Sequence, residues 1–151
     1  MNESFLDRLG SPDIKIAGLE IWIHGREFPH LDDYWDGNWM IVTVRCSNKE
    51  NSICITGPFI HLHEIITWLA ELVRLSTTLE GEASLDCMEP ELSVTIKAEK
   101  SGHITMEVIL DPHDSEHEYY FMFPITASDL SLLIFNCRKI LQHHPIKGLI
   151  E

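Results

Sequence analysis

The sequence is poor in basic residues. It contains 11 Lys plus Arg against 24 Asp plus Glu, and its formal net charge is −13 with histidines neutral. Nucleic acids and anionic lipids attract proteins mainly through lysine and arginine, so this charge argues against both as direct partners. The surplus of acids either serves solubility or attracts a basic partner through the opposite field, and both interpretations stay open.

Long apolar runs and paired cysteines are also missing. No stretch approaches the roughly 20 apolar residues that cross a bilayer. Residues 1–8 show neither the basic cluster nor the apolar run of a secretion signal. The cysteines form no Cys-x-x-Cys pair, and we interpret them as small buried hydrophobes in a reducing compartment. We therefore expect a cytoplasmic protein.

Motifs of catalysis and cofactor binding are absent as well. There is no Gly-x-Ser-x-Gly elbow, no Gly-x-Gly-x-x-Gly fingerprint and no P-loop, and the glycines are scattered singly. Carboxylates are so plentiful that no particular pair indicates acid/base chemistry. These absences favour a protein without a cofactor that binds another macromolecule and is not an enzyme.

The length of 151 residues fits one domain, because single cores commonly hold about 100–200 residues. We expect one domain over residues 1–151, with residues 1–12 as its flexible segment. Neither an internal repeat nor a Gly/Ser-rich linker is evident in the sequence.

Alternation of apolar residues predicts the strands. Leu92–Ala98 and Ile104–Leu110 alternate most cleanly, and a polar turn between them predicts a hairpin. The other predicted strands lie within residues 13–24, 38–46, 53–56, 83–87 and 119–123. The residues from Gly25 to Gly37 are predicted to form a long connection.

A three- and four-residue period predicts two helices. The first has apolar residues from Leu62 to Val73, with Glu64, Glu71 and Arg74 toward solvent. The second opens at Thr126, which has capping-box spacing to Asp129, and it ends before Pro145. The predicted fold class is α+β, with one curved antiparallel sheet of about six or seven strands and the two amphipathic helices packed on it.

Four histidines offer an alternative function, a metal-dependent hydrolase. His61 and His63 are two residues apart, so they suit a metal only where the chain is extended. His113 and His117 have the four-residue spacing of a metal pair, but they lie in a polar loop after Pro112. The competing interpretation is that these are incidental surface histidines.

The most unusual segment combines large aromatic residues with acids shortly before or at the start of a strand: Asp32, Asp33, Tyr34, Trp35, Asp36 and Trp39. One interpretation is that Trp35 and Trp39 cover one end of the core while Asp36-Gly37 makes the turn. The other is a partner-binding patch, with tryptophan and tyrosine as anchors among the acids. Both can hold at once.

This segment also carries a family resemblance. Gly25 to Pro29 and Asp33 to Trp39 resemble the hallmark of the WapI-type bacterial immunity proteins and their uncharacterised relatives. Ile66 to Leu69, Glu89 to Leu92 and Pro145 to Lys147 match the same layout. At the end of the chain Pro145-Ile146-Lys147 stands where the family leads us to expect an aromatic-Pro-x-Arg ending.

The resemblance implies a small cytoplasmic protein that binds a toxin domain, often a nuclease, and neutralises it by occlusion. A nuclease must hold phosphates with basic residues, so an acidic protein can occupy that surface. The expected partner is therefore a basic cognate toxin domain, with no nucleic acid or membrane contacted directly. Besides this function and the hydrolase, a third hypothesis is a structural acidic protein whose charge serves solubility alone.

Overall fold

The computed structural model describes residues 3–112 and 117–149 of the chain. The fold is α+β, as predicted. Helix α1 (Glu3–Leu9) precedes two units, and each unit consists of four strands followed by a helix. The first unit comprises β1 (Ile14–Ile16), β2 (Leu19–Arg26), β3 (Trp39–Ser47), β4 (Ser52–His61) and α2 (Leu62–Thr78). The second comprises β5 (Gly81–Asp86), β6 (Leu92–Ala98), β7 (Ile104–Leu110), β8 (Tyr119–Ile125) and α3 (Ala127–His143). Each unit is a four-stranded meander followed by a 17-residue helix, a structural repeat that the sequence does not display.

The prediction of one curved sheet with six or seven strands is wrong. The described residues form two antiparallel four-stranded sheets, in the orders β1-β2-β3-β4 and β5-β6-β7-β8. Residues 13–24, predicted as one strand, contain β1 and most of β2, which form a tight hairpin. Alternation shows which face of a strand is buried, but it does not show which strands share a sheet. Helix α2 follows β4 and packs along β5, so a second sheet begins after it.

The two sheets meet at the turn between β1 and β2. A Cβ atom on Gly18 would lie 2.0 Å from the backbone oxygen of Ser47 and 2.8 Å from the ring of Phe123 on β8. Only glycine fits this close approach without displacing backbone. The second sheet therefore packs closely against the first at Gly18, a position that no local sequence pattern predicts.

Both sheets and both long helices contribute to one hydrophobic core. Strands β6 and β7 have the predicted bounds, and buried residues alternate with more exposed ones along them. On α2, Leu62, Ile65 and Leu72 are buried as predicted, whereas Ile66, predicted on the same apolar face, is 38% exposed. Trp68 and Leu75 complete the buried face. Burial of one such side chain contributes about 1.5–3 kcal/mol, so these residues fix where α2 lies.

The start of α3 confirms the predicted capping box. The Asp129 backbone N–H donates to Thr126 Oγ1 at 3.1 Å, and the Thr126 N–H donates to Asp129 Oδ2 at 2.8 Å. Two donors that the helix cannot satisfy internally are thereby paired. Within the described part of the chain, every helix is too short or too polar to cross a bilayer.

Candidate functional site

The acidic-aromatic segment lies in the loop between β2 and β3, which ends in a short 3-10 helix at Asp36–Asn38. The structure divides the predicted site residues into two groups. Trp35 is 48% exposed, whereas its neighbour Tyr34 is only 7% exposed. The exposed group is Asp32, Asp33, Trp35 and Asp36, and the more buried group is Tyr34 and Trp39.

Asn38 holds this loop in place from inside the protein. Its side chain is fully buried and makes four hydrogen bonds. The amide Nδ2 donates to the backbone oxygens of Tyr34 at 2.7 Å and Lys147 at 2.9 Å. Its Oδ1 accepts from Arg26 Nη1 at 2.8 Å and from the Lys147 N–H at 2.9 Å. Because a buried amide must be paired, Asn38 requires the segment around Lys147 to lie against the loop.

The side chain of Lys147 closes the same arrangement from outside. Its Nζ donates to the backbone oxygens of Pro29 at 2.9 Å and Leu31 at 3.0 Å, and it lies 3.4 Å from Asp32 Oδ1. Arg26 donates to the backbone oxygens of Gly37 and Pro145. We call Arg26, Asn38 and Lys147 the C-terminal latch. Lys147 makes these contacts where the resemblance leads one to expect arginine.

The exposed acids of the loop are partly used within it. Asp33 Oδ2 accepts from the Asp36 N–H at 2.9 Å, at the first residue of the short 3-10 helix. Asp32 is ion-paired with Lys147, although its own side chain is highly exposed. These contacts show how the acids shape the loop. Among its exposed large apolar side chains, Trp35 has the highest exposed fraction.

His61 supports Trp35 from below. The imidazole is fully buried, and its Nε2 donates to the backbone oxygens of Trp35 at 2.9 Å and Tyr34 at 3.2 Å. Its Nδ1 accepts from the His63 N–H at 3.0 Å, which caps the start of α2. Burial lowers the pKa of His61 below its usual 6.5, so the neutral ring that this geometry requires is the favoured form.

Tyr34 packs beneath the exposed tryptophan. Its ring meets the Trp35 ring edge to face, with centroids 5.1 Å apart, and its hydroxyl is hydrogen-bonded to His63 Nδ1. Burial raises the pKa of Tyr34, so the phenol stays protonated. Trp35 is therefore backed by a layer of aromatic rings.

Of the four histidines in the metal alternative, the three that the structure describes are not brought together as a metal site: His61, His63 and His117. Both ring nitrogens of His61 are engaged by backbone groups, so the ring has no lone pair left for an ion. His117 lies in an exposed loop, and His113 lies outside the described residues. Across residues 3–112 and 117–149, no three His, Cys, Asp or Glu side chains are placed to hold a metal ion.

Glu64 corrects a detail of the predicted helix face. The sequence places it toward solvent, yet it is only 7% exposed. Its Oε1 accepts from the His61 N–H at 2.8 Å, and its Oε2 accepts from the Met88 N–H at 2.7 Å. Burial raises the pKa of this carboxyl, although the hydrogen bonds partly offset it. The signal was present, because Glu64 is three residues after a capping position, but histidine is an unusual N-cap.

A groove of about 440 Å³ runs between α2 and β5 beside Trp35. On α2, His63, Thr67 and Glu71 recur every four residues, so they share one helical face. On β5, Ser84 and Asp86 are two apart and share one face of the strand. Trp35 and Met88, 48% and 59% exposed, also line the groove. We call this surface the Trp35 groove.

The Trp35 groove is acidic as well as apolar. Glu71 Oε1 accepts from the Ser84 N–H at 2.8 Å, which fixes the carboxylate at the groove wall. Asp86 is exposed at the end of β5. In the described part of the chain, neither Glu71 nor Asp86 is paired with a lysine or arginine. The sequence could not reveal this site, because Trp35, Glu71 and Asp86 come from three separate elements.

The other side of Trp35 borders a second, open depression. Its volume is about 600 Å³, and it is lined by Asp33, Tyr34, Trp35, Gly148 and Leu149. Trp35 therefore stands between two concave surfaces, each of which carries at least one acid. An exposed aromatic side chain between two depressions can serve as an anchor in a protein interface.

These features define an acidic α+β protein with an exposed tryptophan between two depressions of its surface. The chain belongs to the immunity protein WapI-like family, whose model matches residues 9–145. The resemblance carried by the acidic-aromatic segment is thereby confirmed.

Curated proteins and solved structures provide two further comparisons. No curated protein matches the chain. Among solved structures, the fold is similar to that of the plant transcriptional regulator PBF-2, with 9% sequence identity and a TM-score of 0.49. That likeness covers 82% of this chain and 74% of the regulator.

Proposed function

We propose that this chain is a cytoplasmic immunity protein that binds a cognate toxin domain and neutralises it by occlusion. Membership in the WapI-like immunity protein family carries the proposal. The proposed partner is basic, and a nuclease domain fits best, because such a domain must present lysines and arginines to phosphates. A chain with a net charge of −13 is attracted to that surface through long-range electrostatics.

The proposed contact surface is centred on Trp35. A few aromatic anchors commonly carry most of the binding energy of an interface. Trp35 is exposed while Tyr34, His61 and the C-terminal latch hold it in one position. Binding therefore costs little ordering entropy at this residue. Asp32, Asp33 and Asp36 surround it, and together they form the acidic rim of the proposed interface.

Co-expression tests the proposal. The probe is the toxin domain encoded beside the gene for this chain, expressed alone and with the chain in a susceptible bacterium. We expect the domain alone to stop growth, and co-expression to restore it through a stable complex that can be isolated by gel filtration. A Trp68→Asp variant is the control, because a charge at this fully buried position prevents folding. No complex and no rescue with the wild-type chain would contradict the proposal.

A further inference from the structure

We propose that the Trp35 groove receives an arginine side chain of the toxin domain. This inference rests on the proposed function, and it adds the chemistry of the contact. The Trp35 indole would stack on the guanidinium, and Glu71 and Asp86 would accept its hydrogen bonds. Most of these groups lie outside the acidic-aromatic segment, so they constitute a site that the family hallmark does not contain.

The two carboxylates are available for a ligand. Glu71 uses Oε1 for the Ser84 N–H, and this bond holds the side chain in place while Oε2 is left for a partner. Asp86 is exposed and, among the described residues, has no basic side chain beside it. Glu64 also lines the groove, but both of its oxygens already accept backbone hydrogen bonds, so Glu71 and Asp86 are the proposed acceptors.

The apolar surface of the groove favours arginine over lysine. An arginine carries three methylene groups that can lie on Met88 and Trp35, and a planar guanidinium that stacks on an aromatic face. Its five N–H donors can serve two carboxylates at once, whereas a lysine ammonium acts as a point charge. The volume of about 440 Å³ accommodates the side chain and part of the segment that bears it.

A protein side chain is the proposed occupant, because the groove shares Trp35 with the exposed loop. Trp35 lines the groove and also the depression beside Leu149, so a partner that covers the tryptophan contacts both. The net charge of −13 attracts a basic protein surface from a distance. The groove then supplies the fixed contact that determines which arginine is bound.

The test compares two double variants with the same change in charge. Glu71→Gln combined with Asp86→Asn removes the groove charge, while the glutamine oxygen still accepts from the Ser84 N–H. Asp7→Asn combined with Glu50→Gln removes two exposed acids that do not line the groove. Affinity for the purified, catalytically inactivated toxin domain is measured by titration calorimetry. We expect the groove variant to weaken binding about 10- to 100-fold and the control less than about 3-fold.

An arginine scan of the toxin domain completes the test. One arginine-to-alanine change on the toxin should weaken wild-type binding, and it should remove the difference between the groove variant and the wild-type chain. Equal affinities of the groove and control variants would overturn the arginine proposal while the proposed function stands. Absence of binding by the wild-type chain would instead overturn the proposed function itself. If the effect of the groove variant were non-additive with a lysine substitution on the toxin domain, and additive with every arginine substitution, the choice of arginine would be overturned.

Discussion

The side-chain amide of Asn38 forms two hydrogen bonds with the backbone of Lys147, as the backbone of a neighbouring β-strand would. It donates to the Lys147 carbonyl oxygen and accepts from the Lys147 N–H, both at 2.9 Å, although the two residues are 109 positions apart. This pairing ties the end of the described chain to the loop that presents Trp35.

Asn38→Ala should destabilise the fold by about 2–4 kcal/mol, because the backbone groups of Tyr34 and Lys147 and the Arg26 guanidinium lose their partner. Urea unfolding followed by far-UV circular dichroism measures the change. Asn48→Ala is the matched control, since Asn48 is exposed and only closes the turn between β3 and β4 through its Oδ1. We expect the control to cost about 1 kcal/mol or less. Equal losses for both variants would contradict the role of the latch.

Lys147→Met should loosen the loop without unfolding the protein. It removes the ammonium that binds the carbonyl oxygens of Pro29 and Leu31, but the backbone bonds to Asn38 remain. Amide hydrogen exchange of residues 27–38 should become about 10-fold faster or more. Lys147→Arg should keep the loop protected, because a guanidinium can serve the same acceptors. Unchanged exchange in the methionine variant would show that Lys147 does not hold the loop.

Tyr34→Ala and Trp35→Ala should differ sharply although the residues are adjacent. Tyr34 is buried, so its removal leaves a cavity and should cost about 3–5 kcal/mol of folding free energy. Trp35 is half exposed, and its removal should cost about 1 kcal/mol or less. The same variants bear on the proposed function, because Trp35→Ala should weaken binding of the toxin domain while it remains folded. Urea unfolding and calorimetry provide the two measurements.

His61 should lower the stability of the fold as the pH decreases below 6.5. Burial lowers its pKa in the folded state, so below pH 6.5 the unfolded chain binds a proton that the folded chain resists. One such group changes the unfolding free energy by up to about 1.4 kcal/mol per pH unit. The variant His61→Asn keeps a residue that can cap α2, and it should show a shallower loss between pH 6.5 and 5.5.

Glu64 changes the pH dependence of stability in the opposite direction. It is therefore left unchanged in both proteins, the wild type and the His61→Asn variant. Its pKa is raised, so the folded chain binds a proton more readily above pH 4.5, and stability rises as the pH decreases through that range. His63 also faces His61 and is likewise unchanged in the comparison. If wild type and His61→Asn lost stability in parallel, the assignment to His61 would be wrong.

Binding of the toxin domain should weaken as salt is added. The proposed interface brings an acidic surface to a basic one, and about 0.5 M salt shortens the screening length to well below 10 Å. We expect the association rate to fall most, because long-range attraction mainly accelerates encounter. Surface plasmon resonance at several ionic strengths measures both rates. A salt-independent affinity would move the explanation to apolar contacts around Trp35.

The sequence alone determined what depends on neighbouring residues. Alternation set the bounds of β6 and β7, and the spacing of Thr126 to Asp129 set the start of α3, because these signals repeat within a few positions. The acidic-aromatic segment also carried the family resemblance, since it is contiguous. Composition alone established the charge.

Only the tertiary structure decided what depends on residues far apart. It divided the strands into two sheets, buried Tyr34 while exposing Trp35, and placed Lys147 against the loop. It also assembled the Trp35 groove from a loop, a helix and a strand. A local sequence pattern indicates which face of an element is buried. It does not indicate which other element covers that face, because this depends on long-range packing that forms together with the whole core.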